Sequence, residues 1–315
     1  MCENKCVRES EMMKQTTNFK RNLPLLAMSV PGMLWIVLFS YLPMFGLIIA
    51  FKDYNFISGI LGSKFVGFKN FQSLFATSDA LVITRNTIVY NLAFIVLGLI
   101  GSVSLAIIFD SMGRSKLLKV NQTLVLLPYF LSWVVIAYFV SVLLSEDKGV
   151  INSIIRLLGG DPVKWYSTPK YWPVILTVTS LWKSMGYDCI IYYATIRGFS
   201  SDYYEAARLD GATWFQQIRY ITIPLLSSIA VMMSLLKVGH IMHSDFGLFY
   251  LVPKNSGLLY SVTSTIDTYV YNGISGAQNF GVTSAISFYQ SVIGFILVLT
   301  TNAVVKKISP ENALF

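Results

Sequence analysis

Charge is scarce in this sequence. Only 13% of the 315 residues are Asp, Glu, Lys or Arg, about half the roughly 25% of an ordinary soluble domain. A soluble fold of this length buries about 75% of its unfolded surface and still needs a polar shell. Its 24 basic and 16 acidic residues do not supply one. That excludes a soluble enzyme, a DNA-binding domain and a disordered chain together. Cysteine is as thin. Cys2, Cys6 and Cys189 are an odd number with no pairing pattern, so there is no disulfide framework. Cys2 and Cys6 follow no apolar stretch, which argues against lipoprotein acylation. The two histidines, His240 and His243, stand three apart without a ligand cluster and make no metal site. A G-x4-G-K-[ST] phosphate loop is missing, and not even a Gly-Lys dipeptide occurs. Neither H-E-x-x-H nor G-x-S-x-G appears. ATP hydrolysis and bond chemistry therefore belong elsewhere.

What the chain has is apolar length. Hydrophobic residues make up 54% and mean hydropathy is +0.59. After a polar stretch over 1–22, apolar runs lie at about 23–51, 83–109, 120–144, 171–196, 224–251 and 282–305. Each holds the roughly 20 residues that cross a ~30 Å hydrocarbon core as helix. The first is too long for a signal-peptide core and reads as retained. Runs such as 91–109 are continuous rather than alternating, which excludes a β-barrel. The expectation is an all-α membrane protein with six transmembrane helices over 23–309, an N-terminal tail 1–22 and a C-terminal tail 310–315.

Basic residues orient the helices. With the N-terminus inside, the inside segments hold Lys5, Arg8, Lys14, Lys20 and Arg21, then Arg114, Lys116 and Lys119, then Arg197, Arg208 and Arg219, then Lys306 and Lys307. These are 13 of the 24 basic residues, against nine in longer outside segments. Both ends are expected in the cytoplasm, and the net charge of +8 is an orientation signal rather than a nucleic-acid footprint.

One inside segment, 197–224, is too ordered for a linker. Asp202 with Glu205 three residues on resembles a capping box, the aspartate accepting backbone N–H groups at a helix start. Gly211 supplies a flexible or left-handed stop. A second helix is expected over 212–221, and Pro224 marks where the next span begins. Ala206 and Ala207 leave one side smooth enough for close docking.

Glu205-Ala206-Ala207, three residues, Gly211, nine residues and Ile221-Thr222-Ile223-Pro224 resemble the EAA loop of ABC importer permeases. That pattern reads E-A-A-x3-G-x9-I-x-L-P, and Ile223 is the one departure. The stretches 31–55, 67–75, 85–92 and 127–135 are similar to the type I branch that imports carbohydrates, especially complex or oligomeric ones. The resemblance covers about residues 20–315. It implies a multi-pass subunit of the bacterial cytoplasmic membrane that forms half of a sugar pathway with a second permease. It also implies two separate ATPase subunits that carry ATP and Mg²⁺, and an extracytoplasmic substrate-binding protein. Asp202, Glu205, Ala206, Ala207, Gly211 and Pro224 would be the ATPase-coupling set. No cofactor of this chain's own is implied.

Ionisable residues inside spans are functional candidates. Trp182, Lys183 and Asp188 fall in the fourth run, and Lys237, His240, His243 and Asp245 in the fifth; of these, Trp182, Lys183, Asp188, Lys237 and His240 stand out. These five are the candidate substrate-pathway residues, with Trp133, Tyr187 and Tyr192 as further aromatic faces for a sugar. The plainer reading is that Lys183 and Asp188 pair with each other. The competing function is an ion-coupled secondary transporter using these residues as a relay; it would have no need of the elbow.

Overall fold

A computed structural model describes residues 22–308 apart from 25, 114, 277 and 278. Cys2, Cys6, Arg114, the basic residues from Lys5 to Arg21, and the expected tails, save Asn22, lie outside the described residues. The described chain is nearly all helix: α1 (Asn22–Phe51), α2 (Lys69–Phe75), α3 (Asp79–Ser111), α4 (Lys116–Phe130), α5 (Trp133–Leu143), α6 (Val150–Leu157), α7 (Trp172–Arg197), α8 (Ser201–Leu209), α9 (Trp214–Gly239), α10 (Ile266–Ser275) and α11 (Phe280–Ile308). Its sheet is one antiparallel hairpin, Lys52–Asp53 against Lys64–Phe65, with Lys52 opposite Phe65. The Lys52 ammonium closes that loop by donating to the carbonyls of Ile60 and Leu61 at 2.7 and 3.1 Å.

By length and composition, α1, α3, α9 and Phe280–Lys307 of α11 can each cross a membrane. The third apolar run folds as two helices, α4 and α5, bent by 101°, which together make a fifth candidate. Pro128 lies inside α4, where it removes a backbone donor. Leu131 is extended, and Ser132 caps α5 by accepting from the Val135 N–H at 3.4 Å. The fourth run is helical as expected, but Lys183 and Asp188 make α7 less apolar than the others. It packs in the middle of the bundle against α3 and α4, and its polar groups are answered there.

The fifth run departs from expectation. A continuous span over 224–251 was expected; α9 instead ends at Gly239, and residues 240–245 turn before a π-helical segment, Gly247–Leu251. Ser244 and Asp245 offer the backbone alternatives to the helix ladder, and Asp245 Oδ1 accepts from the N–H groups of Gly247 and Leu248 at 3.0 and 3.3 Å.

Among the described residues, apolar packing is divided into three clusters. One gathers Ile136, Trp172, Leu176 and Leu248; a second Leu74, Ile83, Met242 and Ile286; a third Phe109, Cys189, Tyr192 and Leu226. Most outward aliphatic side chains are exposed, α1 most of all, as a surface made for lipid requires. Burial in the loop ahead of α7 pushes the Tyr166 hydroxyl up to about 12. That hydroxyl donates to the Val252 carbonyl, 3.3 Å away.

Candidate functional site

The elbow between α7 and α9 is built by its caps. Ser200, not Asp202, is the N-cap of α8: its backbone is extended (φ −63, ψ 134) and its hydroxyl accepts from the Asp202 N–H at 3.2 Å. Asp202 lies in the first turn, where its charge favours the helix dipole. Because Ser200 takes that N–H, Glu205 has no capping role; it lines a cavity instead. At the other end Gly211 N–H donates to Arg208 and Ala212 N–H to Ala207, at 3.1 and 2.9 Å, with Gly211 left-handed at φ 77. This is a Schellman cap.

Thr213 and Gln216 then form a reciprocal capping box, so the second helix begins at Trp214 rather than at residue 212. It does not stop before Pro224. A π turn, Ile218–Thr222, carries the helix through, with Ile223 N–H donating to the Ile218 carbonyl. The π turn sits where Pro224 can donate nothing. Pro224 is thus inside a continuous helix, not at a boundary.

The elbow is tied to the bundle. Arg197 pairs with Asp110 at 3.2 Å, and the Tyr204 hydroxyl meets Thr222 Oγ1 at 3.1 Å. Between elbow and bundle lies a cavity of about 670 Å³ lined by Asp110, Arg197, Glu205, Arg208 and Trp214 among others. The elbow also carries apolar groups in the open: Leu209 is 90% exposed, and Tyr203, Trp214, Phe215 and Tyr220 are also exposed. Ala206 is exposed and Ala207 half-buried.

The pathway candidates divide into separate places. Asp188 is buried and pairs with Lys237, joining α7 to α9. Lys183 does not pair with Asp188. Its ammonium donates to the carbonyls of Tyr129 and Leu131 at 3.0 and 2.6 Å, the groups freed by the α4–α5 break. It also lies 5.2 Å from the Trp133 ring centre. Trp182 is exposed and stacks on Phe139 at 6.1 Å. His240 is exposed in the second break rather than on a helix face. Tyr187 stacks on Tyr129 at 4.5 Å, while Tyr192 is buried.

The two helix breaks meet. Trp133 Nε1 donates to Asp245 Oδ2 at 2.8 Å, and Gly247 packs so closely that a Cβ there would lie 2.2 Å from the indole. Backbone groups of the second break are answered by side chains far away in sequence. Asn91 donates to the carbonyls of Ile241 and His243, both at 2.9 Å. Gln290 donates to Met242 at 2.7 Å, and Asp267 accepts from the Ser244 N–H at 2.6 Å. Sequence reading placed Asp245 among the ionisable residues of the fifth run but missed Asn91, Asp267 and Gln290 as partners; their one signal was a polar side chain in or beside an apolar run.

The family described as "Binding-protein-dependent transport system inner membrane component" matches residues 98–310, more than half of the chain. The chain belongs to that family. It is an inner-membrane permease subunit of an ABC importer, not an enzyme. The permease is 32% identical over 285 residues to the polygalacturonan/rhamnogalacturonan transport system permease protein YteP of Bacillus subtilis, covering 90% of this chain and 88% of that one. It is 26% identical to the trehalose/maltose transport system permease protein MalF of Thermococcus litoralis, over 89% and 92% of the two chains. A chain in the crystal structure of a bacterial ABC transporter importing the acidic polysaccharide alginate matches with a TM-score of 0.86 and 29% identity, over 94% of this chain and 99% of that one. A second structure holds such a transporter with an alginate pentasaccharide-bound periplasmic protein; there the TM-score is 0.85 and the identity 30%, over 93% and 97%.

Proposed function

We propose that the permease forms half of the translocation pathway of an ATP-driven importer of oligo- or polysaccharides. The chain crosses the membrane six times in the type I arrangement, with both ends and the elbow in the cytoplasm. Its partners are a second, related permease, two ATPase subunits that bind ATP and Mg²⁺, and an extracytoplasmic binding protein that delivers the sugar. The chain itself holds no cofactor and takes no nucleic acid.

The observation that carries this reading is the elbow. It is capped at every end, tied to the bundle, and yet leaves Leu209, Trp214 and Phe215 exposed. An apolar surface on a rigid elbow suits a protein partner. Asp202, Glu205, Ala206, Ala207, Gly211 and Pro224 would shape and hold that docking element. Of the five pathway candidates, Trp182, Lys183 and His240 are accessible and are proposed to face the cavity between permeases. Asp188 and Lys237 are proposed to brace its wall. The relatives named for polygalacturonan/rhamnogalacturonan, trehalose/maltose and alginate support a sugar cargo.

The test is reconstitution of the complete importer in proteoliposomes. Saccharide uptake should need internal ATP and persist when ion gradients are collapsed. Uptake that ignores ATP and follows an ion gradient would favour a secondary transporter.

A further inference from the structure

We propose that Lys183 is an anion-reading contact of the pathway and that the saccharide it takes carries carboxylates, as uronate sugars do. This rests on the sugar-import reading above.

Lys183 stands 11 residues into α7 and 14 before its end, about 16 and 21 Å along the helix axis. It is therefore near the middle of α7 and, on the six-span reading, near mid-depth. Charge at that depth is costly and is kept facing a partner or a water-filled cavity. The side chain is half-exposed, and Trp182, Tyr187 and Tyr129 open beside it. Among the described residues no carboxylate lies within 4.0 Å of its ammonium. Asp188 is taken by Lys237. Asp245 acts on Lys183 electrostatically from beyond ion-pair distance, and its oxygens already accept from the Trp133 N–H and two backbone N–H groups. Two of the three ammonium hydrogens go to Tyr129 and Leu131, and one is left.

Capping a broken helix does not require that charge. The second break has the same problem and solves it with neutral amides, Asn91 and Gln290. A glutamine at 183 could serve the first break likewise. The positive charge thus exceeds what the backbone demands. With the Trp133 and Tyr129 rings 5.2 and 5.9 Å away, the arrangement offers a stacking face for a sugar ring beside a cation for its carboxylate.

The complete importer, with both permeases, ATPases and binding protein, is reconstituted with internal ATP and offered trigalacturonate or maltotriose. Lys183→Gln keeps two N–H donors on a side chain one bond shorter and removes the charge; Lys183→Arg keeps the charge. Expected are trigalacturonate uptake by the parent, a loss of about tenfold or more in Lys183→Gln, and near-parental uptake in Lys183→Arg. The proposal falls if Lys183→Gln equals the parent, if Lys183→Arg loses as much as Lys183→Gln, or if the parent takes maltotriose alone. In the last case sugar import still stands. Uptake of neither probe would overturn the sugar-import reading and this proposal with it.

Discussion

Trp133 and Asp245 hold two broken helices to each other. The indole N–H that opens α5 donates at 2.8 Å to the carboxylate that caps the π segment after α9. Replacing Trp133 by Phe removes that bond from a carboxylate open to solvent, at a cost of about 0.5–1.5 kcal/mol. Melting curves of purified Trp133→Phe, Asp245→Asn and the double variant should give a coupling of about 0.5–3 kcal/mol. Strict additivity would mean that the bond does not join the breaks.

Gly247 should resist even one methyl group. A Cβ there lies 2.2 Å from Trp133, whereas at Gly239 the nearest side-chain atom is 3.7 Å away. Gly247→Ala is expected to cost about 1–3 kcal/mol by overpacking, and Gly239→Ala nothing measurable. Equal melting temperatures for the two would count against the close approach.

Lys237 and Asp188 should behave as a brace. Lys237→Met leaves a buried carboxylate alone and should destabilise by about 3–5 kcal/mol. Lys237→Met combined with Asp188→Leu should recover most of that loss and keep saccharide uptake. A double variant that folds but cannot transport would put the pair in the pathway instead.

At Gly211 the demand is on backbone angle, since φ is 77 and nothing lies within 4 Å of a built Cβ. Asparagine tolerates that conformation better than alanine, and alanine better than valine. ATP-driven uptake should fall in the order Gly, Asn, Ala, Val while insertion of the chain is unchanged. Uptake indifferent to the residue would remove the elbow from coupling.

The two readings of the α8 start are separable. Ser200→Ala should cost α8 about 1 kcal/mol and raise amide exchange over 201–209, while Asp202→Asn should cost only ~0.3–1 kcal/mol. The reverse ranking would restore Asp202 as the cap.

Composition and apolar run length made the membrane class legible, and the 205–224 spacing made the elbow legible. The breaks were not. Leu131 and Ser132 sit in a run whose apolar composition hides the bend, and the groups that make the second break tolerable are distant in sequence, Asn91 from α3 and Gln290 from α11. Lys183 and Asp188 invited pairing because they are near in sequence. Five residues on a helix turn through about 140° more than one circuit, so they face different neighbours. The N-cap was misplaced by two because Ser200 and Asp202 are both good cap residues, and only backbone angle chooses between them.

The π turn ahead of Pro224 has a mechanical corollary. Because the helix does not end there, Trp214 to Gly239 is a single rod of 26 residues, about 39 Å long. Its near tip belongs to the elbow and its far tip abuts the turn that carries Asp245. A π turn and a proline are where helices bend, so a displacement delivered at Trp214 meets one compliant point, at 218–224, and beyond it an unbroken helix. It arrives at the far tip as a tilt or a thrust, beside the indole against which both broken helices rest.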